Sequence, residues 1–187
     1  MTKMKIIILN KNEIELKSIE HTDANDLFYL VDNCRNYLRP WLPWVDSTKN
    51  ISDIINFIDN ITNEIERPFT IFYKQQIVGL IAPKNYDEKN FSCEIGYWIG
   101  EKFQNNGIMY NSCKLLISYL FEKLNLKRIE IGIAIDNIKS KKVPQKLGFH
   151  KEGIKKSAEY INNHFQDHEI YSLINEGWDY QKTVKDI

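Results

Sequence analysis

The chain has 187 residues, near one domain's worth on a soft prior of about 150, and its 43% hydrophobic and 27% charged residues argue against disorder. Its 25 Lys and Arg cancel 25 Asp and Glu, which disfavours a protein that gains affinity by neutralising nucleic-acid phosphates. Cys34, Cys93 and Cys113 are odd in number, scattered, and lack zinc-site or redox spacing, so they suit a reducing, cytoplasmic setting.

The apolar run Ile6–Leu9 is too short to span a bilayer and has no small-residue cleavage site, so it reads as a strand and no membrane is implied. Lys5–Leu9 and Ile14–Ser18 are expected as short strands around the turn Asn10-Lys11-Asn12. Thr22 is placed as a helix N-cap, with Asp23 and Asp26 suiting the positive first turn. Leu27, Leu30, Val31, Cys34 and Leu38 keep helical spacing until Pro40 stops the run. Leu38–Trp44 (L-R-P-W-L-P-W) is a stiff loop whose Trp41 and Trp44 either cap the core or wall a substrate cleft. Ser52 is expected to cap a second helix, with Ile54, Ile55, Ile58, Ile61 and Ile65 on its buried face and Pro68 at its end. Phe69–Tyr73 and Ile77–Ile81 read as a hairpin around Lys74-Gln75-Gln76. Pro83 marks the end of the second strand or an edge position. Asn85–Asn90 is polar and turn-like.

The stretch Cys93–Phe121 organises the rest. Ile95, Tyr97, Trp98 and Ile99 read as a strand, and Gln104-Asn105-Asn106-Gly107 as a polar turn. Met109, Cys113, Leu116, Ile117 and Leu120 then mark one face of an amphipathic helix. The N–H groups of a helix's first turn lack partners and its dipole is positive there, so this turn reads as a phosphate seat. Cys113, on the buried face, reads as core and not as a nucleophile.

Arg128–Ile135 alternates and is rich in Ile, as a strand does. Asn137 and Ser140 begin a third helix that reaches Leu147, with Gly148 as its stop. His150–Tyr160 and Gln166–Ile174 form a last antiparallel pair around Asn162-Asn163. With no repeat, low-complexity tract or linker, residues 1–187 read as one α/β domain. His164 and His168 stand four apart, but on a strand that spacing is about 13 Å, and no acidic or cysteine pattern supports them, so no metal is expected.

Gln104 and Gly107 meet the turn pattern [Q/R]-x-x-G-x-[G/A], with Met109 in place of the small last residue. Joined to E-I-G-Y-W-I before it and N-I-K-S-K-K-V-P-Q-K-L-G-F-H-K-E-G after it, the whole chain resembles the GNAT superfamily of acyl-CoA-dependent N-acyltransferases. Within it, L-R-P-W-L-P-W-V, Q-x-x-G-I-M, N-x-x-S and Ala158–Asn163 (A-E-Y-I-N-N) resemble the RimL-type group, which acetylates the N-terminal amine of a ribosomal protein. The resemblance implies a mixed, mostly antiparallel sheet flanked by helices. Its strands at Glu94–Ile99 and Arg128–Ile135 splay apart to admit the pantetheine arm of acetyl-CoA. Homodimer formation is implied by the group's habits.

The resemblance also implies roles. Gln104, Asn105, Asn106, Gly107, Ile108 and Met109 hold the pyrophosphate. Asn137 bonds the pantetheine amide, and backbone N–H groups near Ile99 polarise the acetyl carbonyl. Ser140 serves the departing thiolate, or simply caps its helix. Glu159 is the first choice for general base, with Glu94 in reserve, and either carboxylate has a structural alternative. The group commonly carries a small residue and a lysine where this chain has Asn105 and Asn106. Lys139, Lys141 and Lys142 could offset the missing cation. Trp41 and Trp44 would line the acceptor side. The expected function is acetyl-CoA-dependent N-acetylation of a protein N-terminus. Alternatives are a small amine, polyamine or antibiotic as acceptor, or a non-catalytic acyl-CoA-binding module.

Overall fold

The computed structural model describes residues 8–11 and 13–178. Its strands are β1 (Ile8–Lys11), β2 (Ile14–Ser18), β3 (Phe69–Tyr73), β4 (Gln76–Asp87), β5 (Ser92–Ile99), β6 (Arg128–Ala134), β7 (His150–Ile161) and β8 (His164–Ile174). Its α-helices are α1 (Ala24–Asp32), α2 (Arg35–Leu38), α3 (Ile51–Asp59), α4 (Ile108–Glu122) and α5 (Ile138–Lys146). The strands form one sheet in the order β1-β2-β3-β4-β5-β6-β8-β7. Every neighbouring pair is antiparallel except β5–β6, which is parallel.

Successive strand residues face opposite ways, so the sheet sorts its side chains into two cores. On one face Ile71, Ile81, Cys93, Ile95, Ile129 and Ile131 meet Ile108, Cys113, Leu116 and Leu120 of α4, with Val143 and Leu147 of the α5 region packed alongside. On the other, Ile77, Leu80 and Trp98 pack against Leu27, Val31, Leu38, Ile54 and Ile58 of α1–α3. Leu116 and Leu120 are fully buried, each worth about 1.5–3 kcal/mol of transfer free energy.

The parallel pair is short. β5 and β6 are in register only at Ser92↔Arg128, Cys93↔Ile129 and Glu94↔Glu130. Beyond that point β5 stays paired with β4 as far as Ile99↔Gly79, and β6 stays paired with β8 as far as Ala134↔His168. Each strand keeps its outer partner while the inner ladder ends, which leaves a V-shaped gap in mid-sheet.

Several boundaries differ from the expected ones. The 3-10 turn His21–Asp23 that leads into α1 is capped by Glu20, whose carboxylate and that of Asp23 form a reciprocal capping box, and Asp23 is the N-cap of α1 itself, so Thr22 is not the cap. The first helix also breaks before Leu38. Asn33 turns its side-chain amide onto the Tyr29 carbonyl at 2.8 Å, competing with the backbone ladder, and α2 restarts after Cys34. The second helix is capped by Asn50 with Asp53, not by Ser52, and ends at Asp59 where Asn60 bonds the Asn56 carbonyl. Ile61 and Ile65 therefore follow the helix and do not extend its face. β4 continues through Pro83 to Asp87, because β3 pairing stops at Ile81 and the missing N–H then costs no ladder bond on that side. The turn before β5 is correspondingly short. At the N-terminus β1 extends through Asn10 and Lys11, while Lys5–Ile7 and Asn12 lie outside the described residues. Among the described residues no helix is long and apolar enough to cross a membrane.

Candidate active site

α4 begins at a left-handed residue. Gly107 has φ +70°, a conformation that costs an L-residue about 1–2 kcal/mol, and this bend turns the chain from the 104–107 segment into the helix. The first helical bond runs from Asn111 N–H to the Gly107 carbonyl at 3.0 Å, so the N–H groups of Ile108, Met109 and Tyr110 precede the ladder. The turn is stitched by its own amides. Gln104 Nε2 donates to the Glu101 carbonyl at 3.0 Å, and Asn106 Nδ2 donates to the Gln104 carbonyl at 3.1 Å. Asn105, at φ +63°, occupies the left-handed region that asparagine tolerates.

α5 supplies the opposite wall. Asn137 caps it, its Oδ1 accepting from Ser140 N–H at 3.1 Å, which leaves its NH2 group to meet a ligand. Ser140 Oγ donates to Tyr97 Oη at 3.1 Å, and that phenol donates to the Ser140 carbonyl at 3.1 Å. Burial pushes the Tyr97 phenol well up, so it stays protonated as a donor. Burial likewise raises the thiol of Cys93 to about 12 and pushes Cys113 up, which makes both inert.

Between these walls lies a cleft of about 320 Å³ that draws on both faces of the sheet. Tyr97, Ile99, Ile108, Met109, Asn137, Ser140 and Val143 line it on the α4–α5 side, and Tyr37, Leu38, Trp41, Leu42 and Trp98 on the α1–α2 side. Gln104, Asn105 and Gly107 lie at its rim. Asn106 is not among the lining residues, its amide being turned back into the turn. Lys139 and Lys142 line the cleft, and so does Lys146. Lys141 instead meets Glu169 at 3.3 Å. Lys146 was missed in the sequence, although it stands four residues after Lys142 and seven after Lys139 and so shares their helix face.

The other chosen residues are spread around the sheet face opposite α4. Trp44 packs on Trp98 with ring centroids 5.9 Å apart and belongs to the core, whereas Trp41 reaches the cleft. Glu94 is 3.1 Å from Lys84 Nζ and accepts from Asn85 Nδ2 at 3.0 Å. Burial pulls its carboxyl up, but Lys84 and Asn85 together outweigh that and hold it below the ordinary value. Glu159 lies on β7 opposite Gln166, just past a bulge, with its carboxylate 3.5 Å from His168 Nε2. Neither carboxylate lines the cleft itself. His164 Nδ1 lies 3.2 Å from the Asn162 carbonyl, and no group of three His, Cys, Asp or Glu able to hold a metal occurs among the described residues.

A sheet opened between parallel strands, with free helix amides at one end of the gap and carboxylates on the far face, defines an acyl-transfer architecture. The chain belongs to the GNAT acetyltransferases: residues 13–150 match the family model for the Acetyltransferase (GNAT) domain. It is 32% identical to YdaF of Bacillus subtilis (strain 168), provisionally named a ribosomal N-acetyltransferase, over 90% of this chain and 95% of that one. It is 27% identical to the ribosomal-protein-serine acetyltransferase of Escherichia coli (strain K12), over 86% of this chain and 92% of the relative. Among solved structures, the microcin C7 self-immunity acetyltransferase MccE in complex with acetyl-CoA and AMP matches with TM-score 0.84 and 31% identity, covering 88% of this chain and 94% of that one. RimL, the ribosomal L7/L12 α-N-protein acetyltransferase, in complex with coenzyme A, matches with TM-score 0.85 and 25% identity over 90% and 98% of the two chains. The fold is thus the mixed, mostly antiparallel GNAT fold, and the protein is an enzyme of the N-acetyltransferase type.

Proposed function

We propose that this chain transfers an acetyl group from acetyl-CoA to a primary amine, the α-amine of a protein N-terminus. The observation that carries this reading is one cleft lined from both faces of the sheet, by Ile108, Asn137 and Ser140 on one side and Trp41 and Trp98 on the other, beside the end of β5 that has left its β6 partner. A long, thin donor with phosphates at one end and a thioester at the other suits such a cleft. The residues present fit acetyl-CoA: the unpaired amides of Ile108, Met109 and Tyr110 and the cations Lys139, Lys142 and Lys146 suit its phosphates. The relatives named above for ribosomal-protein acetylation support a protein N-terminus as acceptor.

The donor supplies an activated acyl group, and the chain does the rest. A protein α-amine ionises near pH 8 against about 10.4 for lysine, so freeing its lone pair at neutral pH costs little. The amine nitrogen bonds to the carbonyl carbon, the carbon–sulfur bond breaks, and the amine proton passes to Glu159 directly or through water. N–H groups on the edge of β5 beyond Glu94, left without a strand partner, polarise the carbonyl oxygen. The Ser140 hydroxyl turns from Tyr97 to hydrogen-bond the departing thiolate, which takes its proton from solvent. Glu94, already held by Lys84 and Asn85, contributes negative charge near the acceptor path.

The test is calorimetry with acetyl-CoA, followed by thiol release with peptides bearing free N-terminal Ser or Ala and with small amines. Binding and peptide-dependent release are expected. Binding without release by any amine would favour an acyl-CoA-binding module. A small-molecule acceptor is the second reading, favoured by the likeness to MccE and by the open aromatic wall of Tyr37 and Trp41. Release with small amines and none with peptides would select it.

A further inference from the structure

Among the described residues, three buried side-chain atoms capable of hydrogen bonding have no partner: Ser112 Oγ, Gln166 Oε1 and His168 Nε2. Ser112 lies within α4, but the other two stand two residues apart on β8. Strand alternation therefore puts them on one face, about 6.6 Å apart along the chain. Leaving such an atom unpaired in a buried position costs about 1–3 kcal/mol, so two neighbours in that state call for a physical reason.

The orientation of Gln166 is pinned. Its Nε2 donates to the Pro40 carbonyl at 3.3 Å, in the loop that carries Trp41, and this turns Oε1 the other way. The His168 ring lies over Gly132, since a Cβ built there would come within 3.5 Å of Nδ1. Gly132 is two residues beyond the last β5–β6 pair, level with Gly96 across the gap. The imidazole therefore sits at the mouth of the gap, on the face away from α4. Its Nε2 is 3.5 Å from Glu159 without forming a hydrogen bond to it.

We propose that Gln166 Oε1 and His168 Nε2 form the seat of the acceptor, two hydrogen-bonding atoms without a protein partner that meet the first residues of the incoming chain. This rests on the acetyl-transfer reading and adds residues to it. His168 Nε2, 3.5 Å from the Glu159 carboxylate, meets the attacking amine and holds that nitrogen beside Glu159. Gln166 Oε1 accepts from an amide N–H one or two residues further along. An extended peptide advances about 3.3–3.6 Å per residue, which matches the spacing along β8. The protein itself gives neither atom a hydrogen-bond partner, so an incoming chain can supply one to each. Glu159 is the register partner of Gln166 across the β7–β8 ladder, which puts it on the same face as this pair.

The test uses a conjugate in which the sulfur of CoA is joined through –CH2–CO– to the α-nitrogen of a Ser-Ala-Ala peptide, compared with CoA alone by calorimetry. The wild-type chain should bind the conjugate at least about tenfold more tightly than CoA. Gln166→Leu and His168→Phe should each weaken the conjugate about three- to tenfold, the loss of one hydrogen bond, while CoA affinity stays within about twofold. Unchanged CoA affinity also reports that the variants fold, and Gln166→Met and His168→Leu replace any that do not. Conjugate affinity equal to wild type in both variants overturns the seat. Failure of CoA itself to bind the wild type overturns the acetyl-transfer reading. Tight CoA binding with no gain from the peptide arm overturns the seat alone.

Discussion

The two faces of the sheet differ in how their polar groups are satisfied. On the α4–α5 side several polar side chains are already paired, Asn137 with its helix, Ser140 with Tyr97, and Glu169 with Lys141, Lys151 and Tyr171, although Ser112 Oγ and the first N–H groups of α4 are not. On the opposite side the groove by Trp41 carries Gln166 and His168 with unmet hydrogen-bonding atoms, a carboxylate beside them, and a hairpin bent at Ser157, Asn162 and Asn163 by positive φ. A finished polar network is rigid and suits a ligand of fixed shape, whereas an unfinished one asks for hydrogen bonds from a partner. The first face reads as the seat of an unvarying donor, and the second as the place where an acceptor completes the structure.

The largest effect that separates the faces should come from Glu159→Gln. Removing the carboxylate on the open face should lower kcat by about 10²–10³ at neutral pH with acetyl-CoA affinity unchanged. A near-normal rate in steady-state assays moves proton acceptance to Glu94 or to solvent. Gly107→Glu strikes the other face. It puts a side chain at φ +70° and a like charge beside the phosphates, and calorimetry should show acetyl-CoA affinity lower by at least about 10² with the circular dichroism spectrum preserved. Unchanged affinity would count against the turn as a phosphate seat.

Glu169→Gln sharpens the contrast through stability. Hydrogen bonds from Lys151 and Tyr171, aided by Lys141, hold its carboxyl down to about 2 against the opposing pull of burial. Its contribution is therefore fully present above the unfolded carboxyl value of about 4.3 and is lost as pH falls toward 2. Urea denaturation at pH 6 should find the variant less stable by about 3 kcal/mol, because Lys141 is left buried without its carboxylate. That gap should narrow by pH 3, and a constant gap from pH 6 to 3 contradicts the pairing. Smallest is the difference between the two loop tryptophans. Trp44→Leu should cost about 1–2 kcal/mol of stability through the lost Trp98 contact, while Trp41→Leu should raise the acceptor KM a few-fold with less than about 0.5 kcal/mol of destabilisation.

What was legible from residue order follows the same division. The donor side is written in short spans: strand, amide turn and helix within Cys93–Phe121, and the Asn137–Ser140 cap within four residues. Local rules of turn and cap chemistry reach that far. The splay itself was implied by resemblance, since nothing in the composition of β5 or β6 states where their pairing ends. The acceptor side brings Pro40 to Gln166 and Arg39 to Asn162 across more than 120 residues, and such contacts have no local signature. Trp41 and Trp44 look alike in a sequence, and only packing against Trp98 distinguishes core from cleft. The broken first helix and the displaced caps have a local cause. Glu20, Asn33 and Asn50 won hydrogen bonds that propensity had assigned to Thr22, to an unbroken helix and to Ser52.

The central claim is that the amides at the start of α4 grip a coenzyme diphosphate while the arm beyond it enters the gap between β5 and β6. A crystal structure of the chain with CoA tests it most directly. The expected result is diphosphate oxygens within hydrogen-bond distance of backbone N–H groups in residues 105–110, with the thiol beside Ser140 and Tyr97. A diphosphate bound anywhere else, or a thiol that never enters the gap, contradicts the account.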